Sequence, residues 1–164
     1  MIRAALPLGL SVLTLAVPAT ATHELGFAGV YSLAGSSEVD AQIGPMPFRR
    51  TLQSTVEVNA DPAQGDHVTL TVSIDGRACA LSTSVTAPET LTLAPQQHCP
   101  QSAQIDGDFR LDLDGTLSTG HANVHDGRMT LTTEWVVVGQ VSKGALRMPV
   151  SGTIRSSQSG PRKS

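Results

Sequence analysis

Aromatic side chains are scarce in this sequence. Tryptophan, tyrosine and phenylalanine together make up 3% of its 164 residues, with one tryptophan and one tyrosine. A buried core must therefore be built from valine, leucine, isoleucine and alanine. Lysine and arginine form no block anywhere in the chain. Nucleic-acid-binding domains carry a basic patch, and those for single strands add stacking aromatics, so the composition argues against a nucleic-acid partner.

Long apolar runs are also missing, except near the N-terminus. Arg3, the apolar segment AALPLGLSVLTLAV and the small residues Ala19-Thr20-Ala21 form the pattern of a secretory signal peptide, and the apolar segment is too short to span a bilayer. We predict a signal peptide over 1–21. The residue directly after Ala21 is not a cysteine, so no lipid anchor is expected. The remaining chain, with 10 basic and 14 acidic residues, is predicted to be soluble and periplasmic or extracellular.

Only two cysteines are present, Cys79 and Cys99. An exported protein meets an oxidising compartment, which favours a disulfide between them. A free catalytic thiol or a zinc site is the alternative, but two cysteines without a matching histidine pattern make a poor zinc site. A bridge that closes a loop of about 20 residues stabilises a fold by roughly 3 kcal/mol.

Beyond the signal peptide, apolar and polar residues alternate with period two, and the segments end at glycine, proline or Asp-Gly. This pattern is typical of strands joined in hairpins. We predict a single all-β domain over 22–155 with eight or nine antiparallel strands, either an up-and-down barrel or a two-sheet sandwich, and favour the barrel. The polar tail 156–164, which contains glycine and proline, is predicted to be disordered.

An outer-membrane barrel is the alternative for an exported chain of this kind, since its strands alternate too. The aromatics are too few for its two interfacial girdles, and the polar end RSSQSGPRKS is not typical of its last strand. We therefore expect no transmembrane segment.

The Asp75-Gly76 pair predicts a two-residue hairpin turn, which fixes the register of its strands. It brings Cys79 onto the core face, and a further hairpin near Pro88 then returns Cys99 to its vicinity. The predicted pairs are Ile74 with Arg77, Val72 with Cys79, Leu70 with Leu81 and Val68 with Thr83.

Two more Asp-Gly pairs, at 114–115 and 126–127, predict a three-stranded meander by the same rule. Its first turn places Leu113 opposite Thr116 and Asp108 opposite His121. Its second turn gives these pairs: Val124 with Met129, Ala122 with Leu131, Gly120 with Thr133, His121 with Thr132 and Ser118 with Trp135. Asp106 and Glu134 become diagonal neighbours of His121. Asp106-Gly107 is itself a possible turn, which would remove Asp106 from this face.

His121 and His125 have the H-x3-H spacing of helical metal sites, but on a strand they lie about 13 Å apart and cannot share an ion. The cross-strand group Asp108, His121 and Glu134 is the better candidate, as a weak divalent-cation site or part of an active site. The alternative is an ordinary solvated sheet face, which we favour. That face comprises Asp106, Asp108, Arg110, Asp112, Thr119, His121, Asn123, Thr130, Thr132 and Glu134.

The segment GVYSL, Gly29 to Leu33, resembles the first strand of lipocalin-like barrels at three positions. Tyr31 stands where those barrels have the tryptophan of a Gly-x-Trp pattern, and no companion motif follows. The resemblance implies a lipocalin-like architecture, and no family is assigned from it.

The sequence lacks G-x-S-x-G, H-E-x-x-H, P-loop and G-x-G-x-x-G motifs, so no catalytic residue and no cofactor is predicted. The first functional hypothesis is a non-catalytic binding module for an apolar small molecule inside the barrel, or for a protein partner at its loops. A metal-dependent protein or enzyme that uses Asp108, His121 and Glu134 is the second, and a structural envelope component is the third.

Overall fold

The computed structural model describes residues 26–74, 77–104 and 108–164. The predicted signal peptide 1–21, the turn residues Asp75-Gly76 and the pair Asp106-Gly107 lie outside these ranges. Nine strands make up almost all of the described chain, and no helix occurs in it. The strands are β1 (Gly29–Ile43), β2 (Met46–Ala60), β3 (His67–Ile74), β4 (Arg77–Ala87), β5 (Thr90–Leu93), β6 (His98–Gln104), β7 (Arg110–His125), β8 (Arg128–Lys143) and β9 (Leu146–Pro161).

The strands form one antiparallel sheet that closes into a barrel. Their order is β5-β4-β3-β2-β1-β9-β8-β7-β6, and β5 also pairs with β7. Short β5 and β6 share one edge of the long strand β7: β6 pairs with residues 110–116 and β5 with residues 121–123. The ring therefore has eight strand positions, one of them divided between β5 and β6. Of the two predicted architectures, the barrel is correct.

Two of the predicted hairpin registers are confirmed. The pairs from Ile74–Arg77 to Val68–Thr83 are those predicted from Asp75-Gly76. Between β7 and β8, the chain reverses at Asp126 and Gly127, whose φ angles of 48° and 70° are those of a type I′ turn. His121 lies opposite Thr132 and Val124 opposite Met129, as predicted.

The predicted turn at Asp114-Gly115 is wrong, because β7 runs through both residues without a reversal. Residues 110–116 of β7 instead pair with β6, from Arg110 with Gln104 to Thr116 with His98. Gly115 faces the barrel interior, where a Cβ atom would lie 3.4 Å from Cε3 of Trp135, in van der Waals contact. A bulge at Ser118 places Leu117, not Ser118, opposite Trp135. Interior positions change there from odd to even numbers.

The C-terminal residues are also ordered, contrary to the prediction for 156–164. Residues up to Pro161 continue β9, which pairs with β1 on one side and β8 on the other. Gln158 and Gly160 face inward and are buried. A Cβ atom on Gly160 would lie 1.8 Å from the carbonyl oxygen of Ser32, so only glycine permits this close approach of β9 to β1. Composition alone misjudged a segment that has two strand partners.

Apolar packing differs between the two ends of the barrel. One end, where β1 starts and β9 finishes, is filled by a large cluster of buried side chains. Six of its largest members are Phe27, Tyr31, Leu33, Leu70, Leu91 and Met129. Towards the other end, a smaller cluster around Ala41, Val141 and Val150 packs on the interior side of the long strands. No helix of the described residues is long and apolar enough to cross a membrane.

Candidate ligand-binding cavity

A cavity of about 310 Å³ lies inside the barrel, between the two apolar clusters. Inward-facing residues of every strand except β5 line it, because the period-two alternation puts every second side chain on the interior. Liquid water takes about 30 Å³ per molecule, so the cavity has room for about ten water-sized groups. It lies at the lower end of the size range of small-molecule sites, roughly 300–1,000 Å³.

Most of the cavity wall is apolar. The disulfide between Cys79 and Cys99, whose Cα atoms are 5.8 Å apart, forms part of it and confirms the predicted bridge. Trp135, the one tryptophan of the chain, lies on another part of the wall. The apolar lining residues are Val39, Leu52, Val72, Ile74, Leu81, Leu113, Leu131, Val137 and Ile154.

Five uncharged polar residues of β1, β2, β8 and β9 line the cavity, and we call them the polar strip: Ser37, Ser54, Thr133, Ser156 and Gln158. Gln53 and Gln101 are the other polar lining residues. The hydroxyl oxygens of Ser37 and Ser156 lie 2.7 Å apart. The Gln158 amide, 6% exposed, donates a hydrogen bond of 2.8 Å to the Ser54 hydroxyl. Thr133 accepts a hydrogen bond of 3.0 Å from the Trp135 indole. The strip thus brings hydroxyl groups of four strands to one cavity.

The barrel wall is incomplete beside the cavity, between β2 and β3. Their ladder covers only four pairs, Glu57–Ala60 with Leu70–Ser73. Among the described ladders, residues 46–56 of β2 pair with β1 alone. Leu52 and Ile74 lie at this gap, with 47% and 37% of their surface exposed. Two partly exposed apolar side chains therefore border the cavity at this gap.

At the other edge of β4, the disulfide joins this strand to β6, and the Gln97 side chain joins it to the loop between β5 and β6. No described ladder links β4 to β6, and the disulfide bridges these strands. The Gln97 amide takes the place of a strand residue: its oxygen accepts from the Ser82 backbone nitrogen at 2.6 Å, and its nitrogen donates to the Ser82 carbonyl at 3.0 Å. The disulfide and the Gln97 hydrogen bonds together close the barrel wall at the point where β5 ends and β6 begins.

The far end of the barrel is closed by the C-terminus. The guanidinium of Arg162 lies 5.4 Å from the centre of the Tyr31 ring and donates a hydrogen bond of 2.9 Å to the Tyr31 hydroxyl. That hydroxyl donates in turn to the Phe27 carbonyl at 2.8 Å. Arg162 also bonds the Gly26 carbonyl, and Lys163 pairs with Glu57. These contacts cover the end of the barrel at which β1 starts.

The three candidate metal residues do not form the predicted cluster. Asp108 precedes β7 and His121 lies near its other end, so about 40 Å of strand separates them. The predicted pairing of these residues is wrong because it depended on the turn at Asp114-Gly115. Glu134 is diagonal to His121, as predicted, but binds Arg155 through both carboxylate oxygens, at 3.1 and 3.5 Å. Among the described residues, no three metal-ligating side chains are grouped.

His125, not His121, is the histidine that lies between carboxylates. Its Nδ1 atom is 2.9 Å from Glu89 and its Nε2 atom 3.2 Å from Asp126. The hydrogen bond to Glu89 and then the negative charge of Asp126 raise the pKa of His125. Elsewhere on the outer face, hydrogen bonds from Ser102 and then Arg110 lower the pKa of Asp112. These exposed pairs order the surface and do not touch the cavity.

Sequence reasoning did not identify the cavity, since its lining depends on which strands are neighbours. The prediction for 156–164 places Gln158 and Ser156 in a disordered tail, and the predicted register of Trp135 only pairs it with Ser118. The available signal was the period-two placement of serine and glutamine on otherwise apolar interior faces, as at Ser54 in β2. Such polar positions mark an interior that is not fully packed.

No family model matches the sequence, and no curated protein matches it. Among solved structures, the chain is similar to an auxiliary nutrient binding protein from Bacteroides thetaiotaomicron, with 11% identity and a TM-score of 0.27 over 82% of this chain. The match spans about half, 47%, of that protein's length. A protein from M. tuberculosis is similar at 16% identity and a TM-score of 0.27, over 84% of this chain and 93% of that one.

Proposed function

We propose that this protein is an exported, non-catalytic binding module that holds an apolar small molecule inside the barrel. The observation that carries the proposal is the cavity of about 310 Å³, with its largely apolar wall and its gap to solvent between β2 and β3. A packed protein interior leaves few voids larger than a water molecule, so a cavity of this size is more consistent with a binding site than with a packing defect.

Export is supported by two independent features. The N-terminal segment 1–21 has the charge, apolar run and small residues of a signal peptide. The Cys79–Cys99 disulfide is of the kind that persists in oxidising compartments. A binding protein in such a compartment meets apolar molecules that need a carrier in water.

The test is a titration with propylbenzene, whose nine carbon atoms suit the cavity volume, by isothermal calorimetry. We expect one molecule to bind per protein. Val137 lines the cavity and Val138 lies on the outer face of the same strand, so they form a matched pair. The substitution Val137→Phe should fill part of the cavity and weaken binding at least tenfold, whereas Val138→Phe should leave binding unchanged.

Circular dichroism and thermal unfolding establish that each variant is folded. Val39→Phe, on a different strand of the lining, serves as a second filling variant if Val137→Phe is unstable. Absence of propylbenzene binding to the unsubstituted protein, or equal binding to the inner-face and outer-face variants, contradicts the proposal.

A further inference from the structure

The charge of the cavity wall is informative about the ligand. No charged side chain among the described residues lines the cavity. Arg77, the ladder partner of Ile74 at the gap, does not line the cavity. Arg50 lies over the Phe48 ring at 5.8 Å and Lys143 over the Phe109 ring at 4.7 Å, and neither lines the cavity. Ionised groups lose several kcal/mol on leaving water unless a partner of opposite charge receives them. The interior is therefore unfavourable for a carboxylate.

The polar strip, by contrast, has hydrogen-bonding capacity left over. The Ser54 hydroxyl uses a lone pair to accept from Gln158, which leaves its own proton free to donate. The hydrogen bond of 2.7 Å between the Ser37 and Ser156 hydroxyls uses the proton of one of them. The proton of the other hydroxyl is therefore free to donate. Hydroxyl groups both donate and accept. The strip thus suits a hydroxyl or a carbonyl oxygen of a ligand.

These polar groups are positioned, not incidental. Gln158 is buried, and its hydrogen bond joins β9 to Ser54 of β2, which is not its ladder neighbour, across β1. The bond between Ser37 and Ser156 links the adjacent strands β1 and β9. Fixed hydrogen-bonding groups on a mostly apolar wall are how small-molecule sites set the orientation of a ligand.

We propose that the cavity takes a neutral ligand, an alcohol or ketone with an apolar body of about ten non-hydrogen atoms inside the barrel, and discriminates against the ionised carboxylate of the same length. This inference rests on the proposed function. The oxygen of the ligand lies against the polar strip, and its apolar body lies against the wall that includes Trp135 and the disulfide.

The test compares three probes at pH 8 by calorimetry: 1-octanol, octanoate and propylbenzene. We expect 1-octanol to bind at least tenfold more tightly than octanoate. If propylbenzene binds and octanoate binds as tightly as 1-octanol or more so, the inference fails and the proposed function stands. If none of the three binds, both fail.

Variants of the strip separate hydrogen bonding from cavity size. Ser54→Ala and Ser156→Ala should each weaken 1-octanol binding about threefold or more, as expected for a lost hydrogen bond of about 1 kcal/mol, and leave propylbenzene binding within twofold. Ser157→Ala is the matched control, because Ser157 is adjacent in the strand but exposed on the outer face. If neither inner-face variant affects 1-octanol more than the control does, the strip doesn't bind the ligand and the inference is overturned.

Discussion

Arg162 shows how much one residue near the C-terminus contributes to the closed end of the barrel. Its guanidinium covers the Tyr31 ring and reaches both the Tyr31 hydroxyl and the Gly26 carbonyl. Its backbone nitrogen donates to the Gly127 carbonyl at 2.8 Å. One side chain thus ties the segment before β1 to the end of β9, while its backbone bonds the β7–β8 turn.

Replacement of Arg162 by alanine should lower the free energy of unfolding by about 1–2 kcal/mol, because a cation–π contact and hydrogen bonds from a charged donor are lost. Urea unfolding followed by Trp135 fluorescence measures the change. Arg147→Ala is the control, because Arg147 makes only a contact of 3.4 Å to Gln140, and we expect a change within about 0.5 kcal/mol. An equal effect of both variants contradicts this role of Arg162.

At the residue level, the sequence predicted inward positions well wherever strands alternate without interruption. Tyr31 and Leu33 in β1, and Val56 and Val58 in β2, each lie two residues apart and are buried. It failed for Arg162, because a residue after a polar, glycine-containing segment carries no periodic signal of its own. Only the pairing of β9 with β1 brings it to Tyr31.

Among the strands, the seam between β5 and β7 is the shortest ladder of the ring, with three residue pairs. The contact of His125 with Glu89 joins the β4–β5 turn to the end of β7 beside this seam. The backbone nitrogen of Val124 also donates to the Glu89 carbonyl at 2.9 Å. These bonds hold the two edges of the sheet together where few ladder bonds do so.

Because the pKa of His125 is raised in the folded protein, its charged form stabilises the fold at a pH below the ordinary histidine pKa. That contribution is lost as the pH rises through the raised pKa of the folded state. We expect the difference in melting temperature between the unsubstituted protein and His125→Gln to be largest near pH 5.5 and to shrink towards pH 8.5. NMR titration should show a lower His125 pKa in Glu89→Gln. A pH-independent difference contradicts the account.

Two of the four Asp-Gly pairs, at 114–115 and 126–127, adopt different structures for a physical reason. At 126–127 both residues adopt positive φ and the chain reverses. At Asp114-Gly115 the same dipeptide lies within a strand, since β6 and β8 flank it on both sides. The dipeptide determines only the local conformational free energy of a turn. Whether a turn forms depends also on the pairing with neighbouring strands.

Over the whole molecule, the sequence predicted an all-β barrel or sandwich, with the barrel favoured, and one disulfide. The barrel and the disulfide are confirmed. The number of strands and their antiparallel order follow from hairpins that are local in the chain. Closure of the barrel does not follow from local hairpins. It depends on the pairing of β5 with β7, some 30 residues apart, and on the pairing of β1 with β9. The cavity follows from closure, which is why the sequence did not identify it.

The two ends of the barrel differ in how tightly their interiors are packed. The packed end, closed by Arg162 over Tyr31, supplies most of the buried apolar surface. Between the two apolar clusters, a space remains among Trp135, the disulfide and the polar strip, beside a gap in the wall. A fold that is stabilised at one end can keep an unfilled volume next to it.

The most direct measurement of ligand binding is the position of a halogenated probe in a crystal. Crystals of the protein soaked with 1-bromooctane, a neutral molecule with an eight-carbon chain, should give an anomalous bromine peak inside the barrel, among Leu52, Trp135 and Ile154. The account predicts no such peak in crystals of Val137→Phe. Bromine found only on the outer face, at the exposed side chains of Val136 and Val138, or not found at all, would contradict the claim that the barrel interior is a binding site.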